Sequence, residues 1–335
     1  MAAKAPKYKN EKDEILPLMP KVCFDLRSAV EFFEAMRWPD GAACPRCGDT
    51  AVRQMMNKEG TERNERFLWR CMGCRKQFTV KVATVMEDSP LPLTVWAFAF
   101  WQATASKKGV SAKQIQRQCR IGYEAALFVL HRVRWAMVDT SGVRLTGTVE
   151  VDETFVGGKP RKLSKQKREA IIAEHGELPK APRGRGRHHH TPVLAAVERG
   201  SGKVRTRVVA DVTGATLKDA LRRMIAPSAV LHTDEYNAYP GVARNFAGHE
   251  TVNHSQFEYA RGDVTTNNAE GFFSRLERSI MGIHHRVSRE HLHRYVTHMD
   301  FLHNNRHMTD GLRLAEAIRG ADGKRLSKRP LPAMG

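Results

Sequence analysis

The sequence predicts a chain of mixed α and β structure (α+β or α/β). A mixed sheet flanked by helices follows a small cysteine-bearing module and a helical segment. Three observations carry that prediction. Two CxxC pairs stand near one another, Cys44/Cys47 and Cys71/Cys74. Apolar residues recur at helical spacing over 91–137. Beyond residue 146, short alternating runs begin at Thr148–Val156, Pro192–Val197, Val204–Val212 and Ala229–Thr233, with a helical run, Leu217–Ile225, between the last two. At roughly 150 residues per domain, a chain of 335 residues makes room for two or three domains.

Charge narrows the partner. Lys and Arg number 55 against 36 Asp and Glu, a formal charge of +19, and the isoelectric point is near 10.0. Such an excess favours a polyanion, nucleic acid before others. The longest apolar stretch, 91–105, has 15 residues, whereas a membrane-spanning helix needs about 20, so no membrane partner is expected. The first twenty residues hold no apolar run, which predicts no secretory signal and a cytoplasmic protein. Hydrophobic content of 41% excludes global disorder.

Residues 1–40 read as a polar arm, 1–20, and a helix over 26–38 that places Ala29, Phe32, Phe33 and Met36 on one side before Pro39-Asp40-Gly41 stops it. In 41–82, 23 residues separate the two cysteine pairs. Each pair forms a knuckle, and two knuckles complete a tetrahedral four-sulfur shell for one structural Zn²⁺. With strand-like runs at 66–70 and 78–80 this is the layout of a zinc ribbon. A redox dithiol would need only one pair. Cys23 and Cys119 stand alone. Arg70, Arg75 and Lys76 favour DNA as the ribbon's partner.

Residues 90–140 read as a helix-turn-helix-like DNA-binding segment. Ser111 is a good N-cap for the first helix, Gly122 marks the joint, and the second helix runs over 123–137. Candidate DNA contacts are Lys113, Gln114 and Arg117 on the first helix and Arg132 and Arg134 on the second. A plain helical hairpin is the alternative. A basic insert, 159–190, interrupts the strands. There Arg183, Arg185 and Arg187 alternate with glycine and suit phosphate contact.

Three acids complete the pattern. Asp152 and Asp234 sit in or just after strand-like runs, where a carboxylate is expensive to bury without a partner. Glu270 lies on a helical run, 267–280, whose apolar stripe is Ala269, Phe272, Phe273, Leu276 and Ile280. Glu270 falls about 60° beyond the edge of that stripe. Carboxylates from two strands and a helix suit two Mg²⁺ or Mn²⁺ ions about 3.5–4 Å apart, the arrangement used for in-line phosphoryl displacement. Taken singly, each acid would more often cap a strand or pair with an arginine.

The stretches VEVDETFVGGK at 149–159, HTDEYNAY at 232–239, VNHS at 252–255 and TNNAEGFFS at 266–274, continuing to GIHH at 282–285, resemble insertion-sequence transposases of the ISXO type. The likeness runs from about Phe24 to about Arg306. It implies an RNase H-like catalytic domain over 146–306, with 307–335 left as a tail, and Asp–Asp–Glu cleavage and strand transfer. It also implies double-stranded DNA partners (terminal inverted repeats and target), a homodimer or larger oligomer on DNA, and a place at the prokaryotic nucleoid. Asp152 and Asp234 match the family's first two acids. The third position falls on Glu270, with Asn267 as the second candidate and His254 and Arg278 as accessory residues. The family's lysine seven residues after the third acid is Glu277 here. Two other functions fit the same residues: a regulator that binds DNA without cutting it, and a nuclease that nicks without joining.

Overall fold

A computed structural model describes residues 13–157, 164–176, 190–236, 239–252 and 261–327. Two helices, α1 (Met19–Phe24) and α2 (Leu26–Arg37), precede a three-stranded sheet of β1 (Val52–Gln54), β2 (Trp69–Cys71) and β3 (Gln77–Phe78). Helices α3 (Leu93–Ala105), α4 (Ala112–Cys119) and α5 (Tyr123–Ala136) follow. Then come β4 (Thr148–Val156), α6 (Lys165–His175), β5 (Thr191–Glu198), β6 (Val204–Val208) and α7 (Gly214–Met224). The chain continues through β7 (Val230–Thr233), α8 (Tyr239–Ala243), β8 (Gly248–Thr251), α9 (Asn267–Ser279), α10 (Arg289–Asn304) and α11 (Asp310–Arg319). It divides into two compact units, Met1–Ser141 with Thr297–Gly335, and Gly142–Val296.

In the first unit, α3 is apolar nearly all round and buries Trp96, Ala97, Phe100 and Ala103, as a central helix must. It packs against α1, α2, α5 and α11. The residues read as a tail therefore include a helix of this core, with Leu314, Ala315, Ala317 and Ile318 buried. The arm is also docked from Asp13 onward. The Asp13 carboxylate accepts the Gly311 N–H at 2.7 Å and the Ile15 and Leu16 N–H groups at 3.0 Å. A Cβ at Gly311 would stand 2.2 Å from an Asp13 oxygen, so the contact requires glycine.

The second unit is a five-stranded sheet in the order β6-β5-β4-β7-β8. β5 is antiparallel to β4 and β6, while β4, β7 and β8 run parallel. That mixed order is the RNase H-like arrangement. Val149 and Val151 of β4 join Leu194, Ala196, Leu231 and residues of α7 and α8 in one core, and α9 packs against β4 and β5. β6 stops at 208 where alternation suggested 212. Val209 N–H still reaches Pro192 O at 3.1 Å, but proline has no N–H to return, so the ladder ends. In the basic insert, 165–175 forms a helix, and Arg168 and Glu169 on it are exposed. Among the described residues, no helix is long and apolar enough to cross a membrane.

Candidate active site and cysteine centre

The ribbon is built around its cysteines. Cys44 and Cys74 sulfurs lie 3.7 Å apart and those of Cys47 and Cys71 3.5 Å apart, and all four fall within 4.8 Å of one another. A tetrahedral shell with Zn–S near 2.3 Å separates its sulfurs by about 3.8 Å, so this donor set fits zinc. Burial pushes the Cys44 thiol up, but the Arg46 and Cys47 backbone N–H groups and the neighbouring thiols outweigh it and bring it down to about 7. A Cβ at Gly73 would stand 2.3 Å from Asp49 Oδ2, so a larger residue in the second knuckle would have to displace the Asp49 carboxylate. Beneath the knuckles Trp38 packs edge-on against Trp69 and Phe78. The Glu34 carboxylate, from α2, accepts from Trp69 Nε1 at 2.7 Å and from Arg63 Nη1 at 2.8 Å. Arg37 reaches Val80 O and Val82 O at 2.8 and 2.9 Å. Helix α2 thus belongs with the ribbon.

In the sheet, Asp152 lies on β4, the central strand. β4 and β7 pair Thr148 with Val230 and Glu150 with His232. Asp152 lies two residues beyond Glu150 and Asp234 two beyond His232, so both acids leave the paired strands at the same end of the sheet. Asp234 follows the end of β7 and accepts the Tyr236 N–H at 3.2 Å. Glu270 is in the first turn of α9, where Thr266 Oγ1 donates to its Oε1 at 3.2 Å. The buried face of α9 is Ala269, Phe272, Phe273 and Leu276, which leaves Glu270 exposed beside it.

The acids are close enough to influence one another. Burial pushes the Asp152 carboxyl up to about 7. The Glu153 N–H, donating to it at 2.8 Å, opposes that, and the charges of Glu153, Asp234 and Glu270 add to it. Among the described residues, however, only the cysteine sulfurs form a metal-binding group within 4.8 Å. Asp152, Glu153, Thr154, Phe155, His190 and Asp234 line an open pocket of about 440 Å³. Tyr239, fully buried, donates to Glu153 Oε2 at 2.5 Å.

Sequence reasoning missed Glu150. It is completely buried and accepts the Asn268 N–H and the Asn268 side-chain amide, each at 2.8 Å. Arg199 Nε lies 3.0 Å from Oε1, the oxygen that also accepts the Asn268 side-chain amide. The signal was present: an acid between two valines, two residues from Asp152, must share its face of the strand.

The candidate DNA contacts divide. Lys113 and Arg117 are exposed on α4, Lys113 over the Tyr123 ring. Gln114 is half-buried and donates to Gln102 at 3.4 Å. Ser111 caps α4 through the Gln114 N–H at 3.1 Å. Arg132 and Arg134 are misassigned, because only 7% and 2% of each is exposed. Arg132 donates to Leu326 O and Glu87 O, both at 3.0 Å. Helix α5 is buried on almost every side, so its arginines serve the core. Arg278 folds back on its own helix, donating to Ser274 O at 2.9 Å, and Glu277 and Asn267 are exposed. Arg183, Arg185, Arg187 and His254 lie outside the described residues.

Residues 144–304 match the family model of the ISXO2-like transposase domain, and residues 27–77 match that of the transposase zinc-ribbon domain. Together the two take up more than half of the chain. The second match begins inside α2, in agreement with the packing of that helix on the ribbon. No curated protein matches. Among solved structures, a chain of the "CryoEM structure of simian T-cell lymphotropic virus intasome in complex with PP2A regulatory subunit B56 gamma" is similar at 13% identity with a TM-score of 0.28, over 56% of this chain and 63% of that one. This chain therefore spans less than two thirds of that one.

Proposed function

The chain belongs to the ISXO2-like transposases, and from that premise we propose that it is a DDE-type transposase that cuts and joins DNA at element ends. The observation that supports this most is the pocket at the end of β4, which Asp152 and Asp234 line together and where the charges of Glu153, Asp234 and Glu270 all reach Asp152. A carboxyl in such company ionises readily only beside positive charge. Asp152, Asp234 and Glu270 are the residues that would hold two divalent cations, and their hard oxygen donors suit Mg²⁺ or Mn²⁺. Bound there, the ions supply the Lewis acidity that activates a water or 3′-hydroxyl and stabilises the leaving oxygen. The chain's own part is orientation. The Glu153 N–H fixes one Asp152 oxygen, the turn at Tyr236 fixes one Asp234 oxygen, and Thr266 holds Glu270 at the start of α9. Lys113 and Arg117, with Arg183, Arg185 and Arg187, bind phosphates of terminal repeat and target DNA. The protein acts as a dimer or larger oligomer in the cytoplasm, at the nucleoid.

Cleavage of duplex oligonucleotides carrying the element's own ends tests this. Asp152→Ala, Asp234→Ala and Glu270→Ala should each slow cutting by at least about a hundredfold, with DNA affinity nearly unchanged. If Glu270→Ala cuts normally and Asn267→Ala does not, the third ligand is Asn267. If all three acid variants cut at the wild-type rate, the reading fails.

A further inference from the structure

We propose that Glu150 is a positioning residue that sets the distance between the acids of β4 and α9. Its carboxylate is fully buried yet receives three directed donors, the Asn268 N–H, the Asn268 side-chain amide and Arg199 Nε. His232, its register partner on β7, is also buried. A valine at this position would fill the space as its neighbours Val149 and Val151 do, and buried ion pairs of this kind often add little net stability. Direction is what they add. Two of the donors belong to the first turn of α9, whose positive dipole end favours a carboxylate. The joint thus ties α9 to β4 at one register. Along β4 it is two residues from Asp152, on the same face of the strand. Along α9 it is two residues before Glu270.

This inference rests on the reading of the three acids as a cation site, and its test separates the two. Mn²⁺ binding to the zinc-loaded full chain is measured by electron paramagnetic resonance, beside kcat and KM for cleavage and the melting temperature. Asn268→Ala alters an exposed side chain and should fold. Glu150→Gln keeps an oxygen for Asn268 but removes the charge facing Arg199. Outer-shell partners of metal ligands are worth about 10–100-fold in affinity or activity. Each variant should therefore weaken Mn²⁺ binding and lower kcat by about tenfold or more with KM for DNA unchanged. The double variant should be little worse than Glu150→Gln, because both break one joint. Wild-type Mn²⁺ affinity and kcat in folded variants, whatever their melting temperatures, would overturn the proposal and leave a staple without a role at the site. If Asp152→Ala leaves Mn²⁺ binding of the otherwise unaltered chain intact, the cation site itself is wrong and this inference falls with it.

Discussion

Asp152 and Glu150 are two acids on one face of one strand, and their surroundings give them different fates. Glu150 is sealed beneath α9 and satisfied by three N–H donors, whereas Asp152 looks into a pocket beside other carboxylates. A similar division separates the arginines. Arg132 is buried and donates to two carbonyl oxygens, while Arg117 is exposed one helix earlier. Arg132→Ala should therefore cost about 1–3 kcal/mol of stability, the price of leaving those carbonyls unpaired, and leave the DNA affinity of the folded protein unchanged. Arg117→Ala should do the reverse, weakening binding and lowering its salt dependence by about one phosphate contact. Chemical denaturation and a salt series of binding isotherms measure the two effects. Residue type and spacing made the cysteines and acids legible. They could not tell a solvated arginine from one that hydrogen-bonds backbone in a core, because the tertiary environment makes that distinction.

At the scale of elements, long periodic segments were readable and short ones were not. β4 spans the residues its alternation marks, and α9 buries the stripe expected of it. β8 and α8, of four and five residues, have too few positions to show a period and owe their form to the parallel register beside β7 and to packing on α7. The ribbon is the extreme case. Its strands have three, three and two residues, so the metal must carry what a core of Cys44, Cys71 and Phe78 cannot. Cys71→Ser should abolish zinc binding and melt β1–β3 while the sheet unit keeps its fold. Zinc analysis with hydrogen exchange resolved by segment checks this: amides of 52–78 should lose protection and those of β4, β5 and β7 should keep it.

Across the whole molecule, the two ends of the sequence carried the least signal, since a polar arm and a basic tail look alike whether or not they dock. The docking of Asp13 on Gly311 and the burial of α11 are tertiary facts. The first unit also has a pH limit written into its core. His298 is fully buried, donating from Nε2 to Ala103 O at 2.9 Å, and burial followed by the nearby Arg134 charge pushes it down to about 3. Between about 6.5 and 3 the unfolded chain binds a proton here that the folded chain does not. Stability should therefore fall as pH drops through that window, at up to about 1.4 kcal/mol per pH unit. Melting curves between pH 7 and 4.5 should show the slope, and His298→Gln should flatten it. In the other unit, Asp152, Asp234 and Glu270 are proposed to share divalent cations. Anomalous diffraction from crystals of the full chain grown with Mn²⁺ tests this most directly. Manganese peaks should appear in the β4–β7 pocket, with oxygens of all three acids about 2.1 Å from metal. Manganese confined to other surfaces, or bound in that pocket without Glu270, would contradict it.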